Sequence, residues 1–144
     1  MFQTMFSRGS IPALEAILHY STARHKAIAN NLANVETLGY RAVDVSEKGF
    51  EAALARAFDR QRESATGVFE MEEARGLRPT RSGLEFKLFE SADAGILRHL
   101  ENNVDLDLEL GKMVKNAGLH NLSASLLAHE FAMLRTAISE RISG

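Results

Sequence analysis

The sequence predicts a mainly α-helical protein whose N- and C-terminal helices pair as an antiparallel-type coiled coil. Two long stretches, one near each end, repeat apolar residues at alternating spacings of four and three, the pattern of one helix face packed on another. Between them, glycines in residues 41–103 interrupt any long period. We therefore expect one assembly core from residues 1–40 and 104–144. Residues 41–103 would be a middle insertion, loosely structured or partly extended apart from a short helix.

The first helix is predicted to begin near Ser10, which can cap a helix and is followed by Pro12 in the first turn. The apolar period ends before Gly39, and it has Ser21 and His25 as polar interruptions. The residues of this helix that we assign to the seam within the subunit are Leu14, Leu18, Ile28 and Leu32.

The middle insertion contains two local patterns. Phe50, Leu54 and Phe58 recur every four residues and predict a short amphipathic helix near residues 49–62. Apolar residues alternate over residues 84–88, which predicts one strand or an extended segment.

The last helix is predicted to start near Asp105 and Asp107, whose carboxylates complement the helix dipole. About 35 helical residues would span roughly 50 Å. The residues of this helix that we assign to the seam within the subunit are Leu110, Met113, Leu127, Phe131, Leu134 and Ile138.

A second apolar stripe lies beside this seam and is assigned to contacts between subunits. It consists of Leu119, Leu122, Leu126 and Met133. Residues 116–129 contain no Asp, Glu, Lys or Arg, and neither do residues 27–35. Because a two-helix hairpin needs only one stripe per helix, we expect the second stripe to be covered, either by a third helix of the same chain or by other chains.

Composition excludes several classes of function. The formal net charge is -2 and the chain has no cysteine, so neither a basic nucleic-acid face nor a disulfide or thiolate site is predicted. No apolar run approaches the roughly 20 residues of a membrane span. The first twenty residues lack the apolar core of a signal peptide, so any export is expected to proceed without a cleaved signal.

The histidines do not form a predicted metal or catalytic site. His19 and His25 are six residues apart and His120 and His129 are nine apart, spacings that do not share a helix face. Met133 stands where a zinc-protease helix beginning at His129 would have its second histidine. No nucleophile or phosphate-binding motif is present. We predict no catalytic residue, no metal ligand and no cofactor.

The stretch ANNLANVETLGYRA, residues 29–42, places three asparagines where the apolar first helix ends. Amide side chains can hydrogen-bond at a helix end while staying uncharged, and Gly39 suits a turn position that requires positive φ. We interpret the segment as a specific assembly joint. Its predicted residues are Asn30, Asn31, Leu32, Ala33, Asn34, Thr37, Gly39 and Tyr40.

This stretch resembles the ANNLANVxTxGYK/R signature of bacterial flagellar axial proteins, which include rod, hook and hook-associated subunits. Leu38 stands where that family commonly has proline. NNVDLDLEL, residues 102–110, resembles the N-x-VDLDxEM segment of proximal rod proteins of the FlgB type, with Leu110 in place of methionine. The resemblance covers both ends of the chain and matches the middle only loosely.

The resemblance implies a structural subunit at the base of the rod of the flagellar basal body, exported through the type III channel. Its expected role is self-assembly through the terminal helices, transmission of torque and continuation of the export channel. The implied partners are copies of itself, other rod proteins, a FliE-type adaptor, the export gate and the membrane ring. Two alternatives stay open: a neighbouring rod protein of the FlgC type, and a helical export adaptor or chaperone. An accompanying peptidoglycan hydrolase would need an acid in a cleft, and the sequence offers no candidate.

Overall fold

The computed structural model describes residues 10–91 and 102–142. This part of the chain is mainly helical, as predicted, and it contains long terminal helices with a mixed segment between them. Its elements in chain order are α1 (Ile11–Ala33), β1 (Val43–Val45), α2 (Glu47–Glu63), β2 (Leu77–Thr80), β3 (Gly83–Phe86), β4 (Leu88–Glu90) and α3 (Leu106–Ile142).

Helices α1 and α3 pack together and run in opposite directions. Near the start of α1, the Ser10 hydroxyl donates to Glu130 Oε1 at 2.6 Å. Near the end of α1, Asn31 Nδ2 donates to Glu109 Oε2 at 2.8 Å. The expected packing of the terminal helices is therefore confirmed, whereas the coiled-coil winding stays a prediction.

Side chains of different kinds start the helices. Ser10 makes no capping hydrogen bond to α1, because its hydroxyl is directed to Glu130 instead. Asp105 Oδ1 accepts hydrogen bonds from the backbone N–H groups of Asp107 and Leu108, each at 3.1 Å. Asp105 thus caps α3 and satisfies two N–H groups that have no partner within the helix.

The middle segment folds into two small antiparallel ladders beside α2. Strand β2 pairs with β3, and β1 pairs with β4. The apolar alternation over residues 84–88 is therefore not one strand, because β3 ends at Phe86 and β4 starts at Leu88 in the other ladder. Between them, the N–H of Lys87 donates to the carbonyl O of Gly76 at 2.9 Å.

An aromatic core attaches the middle segment to α1. Tyr20 on α1 packs against Phe50 of α2 and Phe86 of β3, with Val45 and Leu77 in the same buried cluster. The described part of the middle segment is therefore more ordered than the loosely structured insertion that its glycines predict.

Most of the exposed large apolar side chains in the described residues belong to α3. Ten of the thirteen lie on this helix: Leu106, Leu108, Leu110, Val114, Leu119, Leu122, Leu126, Phe131, Met133 and Ile138. Over residues 10–91 and 102–142, no helix is long and apolar enough to cross a membrane.

Candidate assembly interface

Asn31 is a fully buried amide that joins three elements of the fold. Its Nδ2 donates to the carbonyl O of Val43 and to Glu109 Oε2, both at 2.8 Å. Its Oδ1 accepts from the N–H of Val43 at 2.9 Å and from the Tyr40 hydroxyl at 3.1 Å. Both donors and both lone pairs of the amide are used, so this one side chain on α1 is hydrogen-bonded to both β1 and α3.

Glu109 faces Asn31 as part of a buried ion pair. Its Oε1 accepts from Lys112 Nζ at 2.8 Å, and Lys112 also donates to the Ser91 hydroxyl at 3.0 Å. Burial raises the pKa of the Tyr40 phenol, and the negative charge of Glu109 raises it further. The neutral asparagine thus lies at the centre of a charged and hydrogen-bonded cluster.

The other residues of the predicted joint form local contacts in the turn that follows α1. Asn34 Nδ2 donates to the carbonyl O of Asn30 at 2.8 Å, and the Thr37 hydroxyl donates to Asn34 Oδ1 at 3.1 Å. The N–H of Tyr40 donates to the carbonyl O of Thr37 at 3.3 Å, and Gly39 has a φ of 69°. Leu32 is partly buried, while Ala33 is exposed.

Asn102 ties the start of the C-terminal segment to the end of α1. Its Nδ2 lies 2.9, 3.1 and 2.9 Å from the carbonyl oxygens of Asn34, Val35 and Thr37, respectively. Its Oδ1 accepts from the N–H of Val104 at 2.7 Å. These carbonyls lie at a helix end, where the helix itself provides no donor. Sequence reasoning did not identify Asn102 as a functional residue, although an uncharged NN pair just before a capped helix was a usable signal.

Within the described residues, the buried side chains of α3 are polar. Asn116 Nδ2 donates to the carbonyl O of Ser21 at 2.8 Å, and the Ser21 hydroxyl shares a hydrogen bond of 2.9 Å with His120 Nδ1. A line of polar residues spaced by seven runs along this face, and we call it the polar seam: Glu109, Asn116, Ser123 and Glu130. The first three are buried.

Several residues that the sequence assigns to the seam within the subunit are more exposed than predicted. Leu14 and Ile28 are buried, whereas Leu18, Leu32, Met113, Leu127 and Leu134 are partly buried. Leu110, Phe131 and Ile138 are instead exposed at 46%, 43% and 47%. They differ from expectation because three members of the neighbouring polar line, Glu109, Asn116 and Glu130, are hydrogen-bonded to α1 and direct that line inward. Since adjacent helix positions differ by about 100°, these three residues are turned to one side.

Two exposed apolar flanks therefore border the polar seam. The Leu110 flank consists of Leu110, Phe131 and Ile138, and the Leu122 flank consists of Leu119, Leu122, Leu126 and Met133. Leu119, Leu126 and Met133 repeat every seven residues, two positions out of phase with the Leu110 flank. Two positions correspond to about 200° around a helix, so the flanks lie on opposite sides of α3.

A second charge cluster, centred on the buried Arg24, holds β1 and α2 to α1. Arg24 contacts Asp44 and Glu47, each at 3.1 Å, and donates to the Tyr20 hydroxyl at 3.1 Å. Burial is the largest single influence on the pKa of Arg24 and lowers it. The surrounding charges, Asp44 foremost, together outweigh burial, so the pKa is raised. Burial raises the pKa of Tyr20 to about 12. The Arg24 cluster has a structural role. The apolar period of α1 does not predict it, because its partners lie on β1 and α2.

Metal-ligating side chains are not clustered in the described residues. Over residues 10–91 and 102–142, no group of three or more His, Cys, Asp or Glu side chains is placed to hold a metal ion.

Comparison with known proteins agrees with a structural role. No protein-family model matches the chain. The chain is 29% identical over 136 residues to the flagellar basal body rod protein FlgB of Borrelia hermsii, an alignment that covers 90% of this chain and 95% of that protein. This likeness supports the recognition of the chain as a structural protein of the flagellar rod. Within that class it supports the FlgB type, in agreement with the resemblance seen in the two end segments.

Proposed function

We propose that this protein is a structural subunit of the flagellar basal-body rod that assembles through α1 and α3 at the base of the drive shaft. The observation that carries the proposal is the pair of exposed apolar flanks on α3. They occur in a chain that is similar over 90% of its length to a rod protein. Fully burying one leucine side chain contributes about 1.5–3 kcal/mol, so flanks of this size favour a covered state.

The two flanks provide the two different surfaces that an open assembly needs. A subunit that joins neighbours head to tail must present unlike patches, and the Leu110 and Leu122 flanks lie on opposite sides of one helix. We assign both flanks to contacts between subunits, whereas the sequence pattern alone assigns only Leu119, Leu122, Leu126 and Met133 to that role. The assembly core would comprise residues 1–40 and 104–144, with residues 41–103 as an insertion.

The joint is proposed to give these contacts a direction. Asn30, Thr37 and Gly39 are exposed and uncharged at the end of α1. The Asn30 and Thr37 side chains are hydrogen-bonded within the joint, and each keeps further hydrogen-bonding capacity for a neighbouring subunit. Misplaced polar groups in a buried interface cost about 1–3 kcal/mol each. The joint would therefore admit a neighbour in few orientations.

The proposed partners are copies of this chain, other rod proteins, a FliE-type adaptor, the export gate and the membrane ring. The proposed location is the periplasmic rod of the basal body, reached by type III export without a cleaved signal. In that position the subunit would transmit torque and continue the export channel. These roles agree with the uncovered flanks and with the similarity to a rod protein.

Quantitative mass spectrometry of purified hook–basal bodies tests the proposal. We expect a few copies of the protein per particle, and none when Leu122→Asp places a charge in the Leu122 flank. Ser125→Asp is the matched control, because Ser125 is exposed on α3 outside both flanks. Normal incorporation of the Leu122→Asp protein would contradict the interface. Absence of the unaltered protein from the particle would instead favour an export adaptor or chaperone.

A further inference from the structure

We propose that Glu109 sets the register of the α1–α3 hairpin through its buried hydrogen bond to Asn31. Register here means which turn of α3 lies beside which turn of α1. Register is a property of the single chain and is independent of the proposed function.

The apolar pattern of α3 does not define one register. The partly buried apolar residues of α3 recur at multiples of seven positions: Ala117 and Ala124 form one line, and Met113, Leu127 and Leu134 form another. Helix α3 has 37 residues and α1 has 23, so two further heptads of α3 are available to α1. A slip of one heptad displaces the helices by about 10 Å and exchanges one set of apolar neighbours for a similar set.

The polar seam distinguishes between the registers that the apolar pattern allows. In the observed register, Asn31 reaches Glu109 and Ser10 reaches Glu130. If α1 slipped one heptad toward the end of α3, Asn31 would face Asn116, and Glu130 would face the turn that contains Ile17. Burying a carboxylate against apolar groups is costly, and the amide would exchange a charge-assisted hydrogen bond for a neutral one of roughly half the strength.

Glu109 is the most constrained member of the seam. It is 1% exposed, and its two oxygens accept from different residues, Asn31 and Lys112. Asn31 is in turn fixed to β1 by two hydrogen bonds to Val43. Glu109 therefore meets a donor that cannot follow a sliding helix. Single buried polar contacts are known to select one register among several apolar alternatives.

Distances between two spin labels report the register directly. The chain has no cysteine, so Lys26→Cys and Ala132→Cys, both at exposed positions, provide the only attachment sites for nitroxide labels. These positions are offset along the helix axis in the observed register, so a one-heptad slip toward the end of α3 shortens the distance by up to about 10 Å. Pulsed electron–electron double resonance on the full chain measures it.

The first test replaces the buried charges by apolar residues. We expect a single distance in the parent, and a second, shorter distance in Glu109→Leu/Lys112→Met. The matched control Glu109→Gln/Lys112→Gln keeps hydrogen-bonding groups at both positions and should retain the single distance. A single unchanged distance in the apolar variant, or a broad distribution in the parent, would overturn the proposal.

The second test moves the carboxylate by one heptad without changing composition. In Glu109→Asn/Asn116→Glu, Lys112 still lies within one turn of a glutamate and keeps an ion-pair partner. This variant should therefore remain folded, and it provides a test even if the apolar variant loses its helices. We expect a second population at the shorter distance, because the carboxylate now faces Asn31 only after the slip. The hydrogen bonds from Asn102 to the end of α1 still favour the parent register, so part of the sample should keep the longer distance. Retention of the parent distance alone would show that Glu109 does not set the register.

Discussion

Tyr20 and Phe50 stack face to face, with ring centroids 4.2 Å apart and ring planes 9° from parallel. The Tyr20 hydroxyl accepts a hydrogen bond from Arg24 at 3.1 Å, and the residue is buried. This contact helps to attach α2 to α1, and it places a phenol where ionisation is unfavourable.

The buried phenol predicts a loss of stability at alkaline pH. The pKa of Tyr20 is about 12 in the folded chain, against about 10 for an unfolded tyrosine. The folded state therefore holds the proton more tightly, so the stabilisation is complete below pH 10 and is lost as the pH rises toward 12. We expect Tyr20→Phe to flatten this decline. Urea unfolding of both proteins at several pH values between 8 and 12 measures the free energy of unfolding. The same decline with pH in both proteins would contradict the prediction.

Gly39 is expected to tolerate asparagine better than valine. Its φ is +69°, and no other group lies within 4 Å of the point that a β-carbon would occupy, so the cost arises from backbone conformation and not from a clash. Positive φ costs a residue with a side chain about 1–2 kcal/mol, and asparagine tolerates it better than β-branched residues do. Denaturant unfolding of Gly39→Val and Gly39→Asn gives the comparison. Full motility of the valine variant would contradict a role of the Gly39 turn in the proposed joint.

Asn102 is predicted to stabilise the end of α1. Asn102→Ala leaves the carbonyl groups of Asn34, Val35 and Thr37 without this donor, at an expected cost of about 1–3 kcal/mol. Asn121→Ala serves as the control, because Asn121 is exposed on α3 and surface substitutions usually change stability by less than about 0.5 kcal/mol. Equal free energies of unfolding for the two variants would refute a structural role for Asn102.

Leu110 tests whether the seam within the subunit is the one observed or the one that the apolar period predicts. Because its side chain is exposed, Leu110→Gln should change the free energy of unfolding by less than about 0.5 kcal/mol while reducing incorporation into basal bodies. Ile28→Gln, at a fully buried position of the same hairpin, should cost several kcal/mol. Thermal unfolding provides the readout, and a large loss for the Leu110 variant would place this residue back in the seam.

Local patterns in the sequence predicted the helices well and their contacts less well. Helix α2 spans Glu47–Glu63, close to the expected residues 49–62. Its apolar residues recur every four positions on consecutive turns, so the pattern is local and can be recognised in the sequence. The polar seam could not be read in the same way. Glu109 resembles a solvent-facing residue until its partner is known, and Asn31 is 78 positions away in the chain.

The middle segment shows a related limit of sequence reasoning. An alternating apolar run fits one strand, and only long-range pairing divides it between β3 and β4. The burial of Phe50 and Phe86 likewise depends on Tyr20, which lies on a different element. Such contacts follow from tertiary packing, which local period and propensity do not encode.

The contrast between a polar seam and apolar flanks has a thermal consequence. Exposing polar surface lowers the heat capacity of unfolding, whereas exposing apolar surface raises it. The hairpin should therefore melt with a modest heat-capacity change for its length, and cooling should weaken it little. Apolar association fades on cooling, so contacts made through the flanks should loosen in the cold before the subunit itself does.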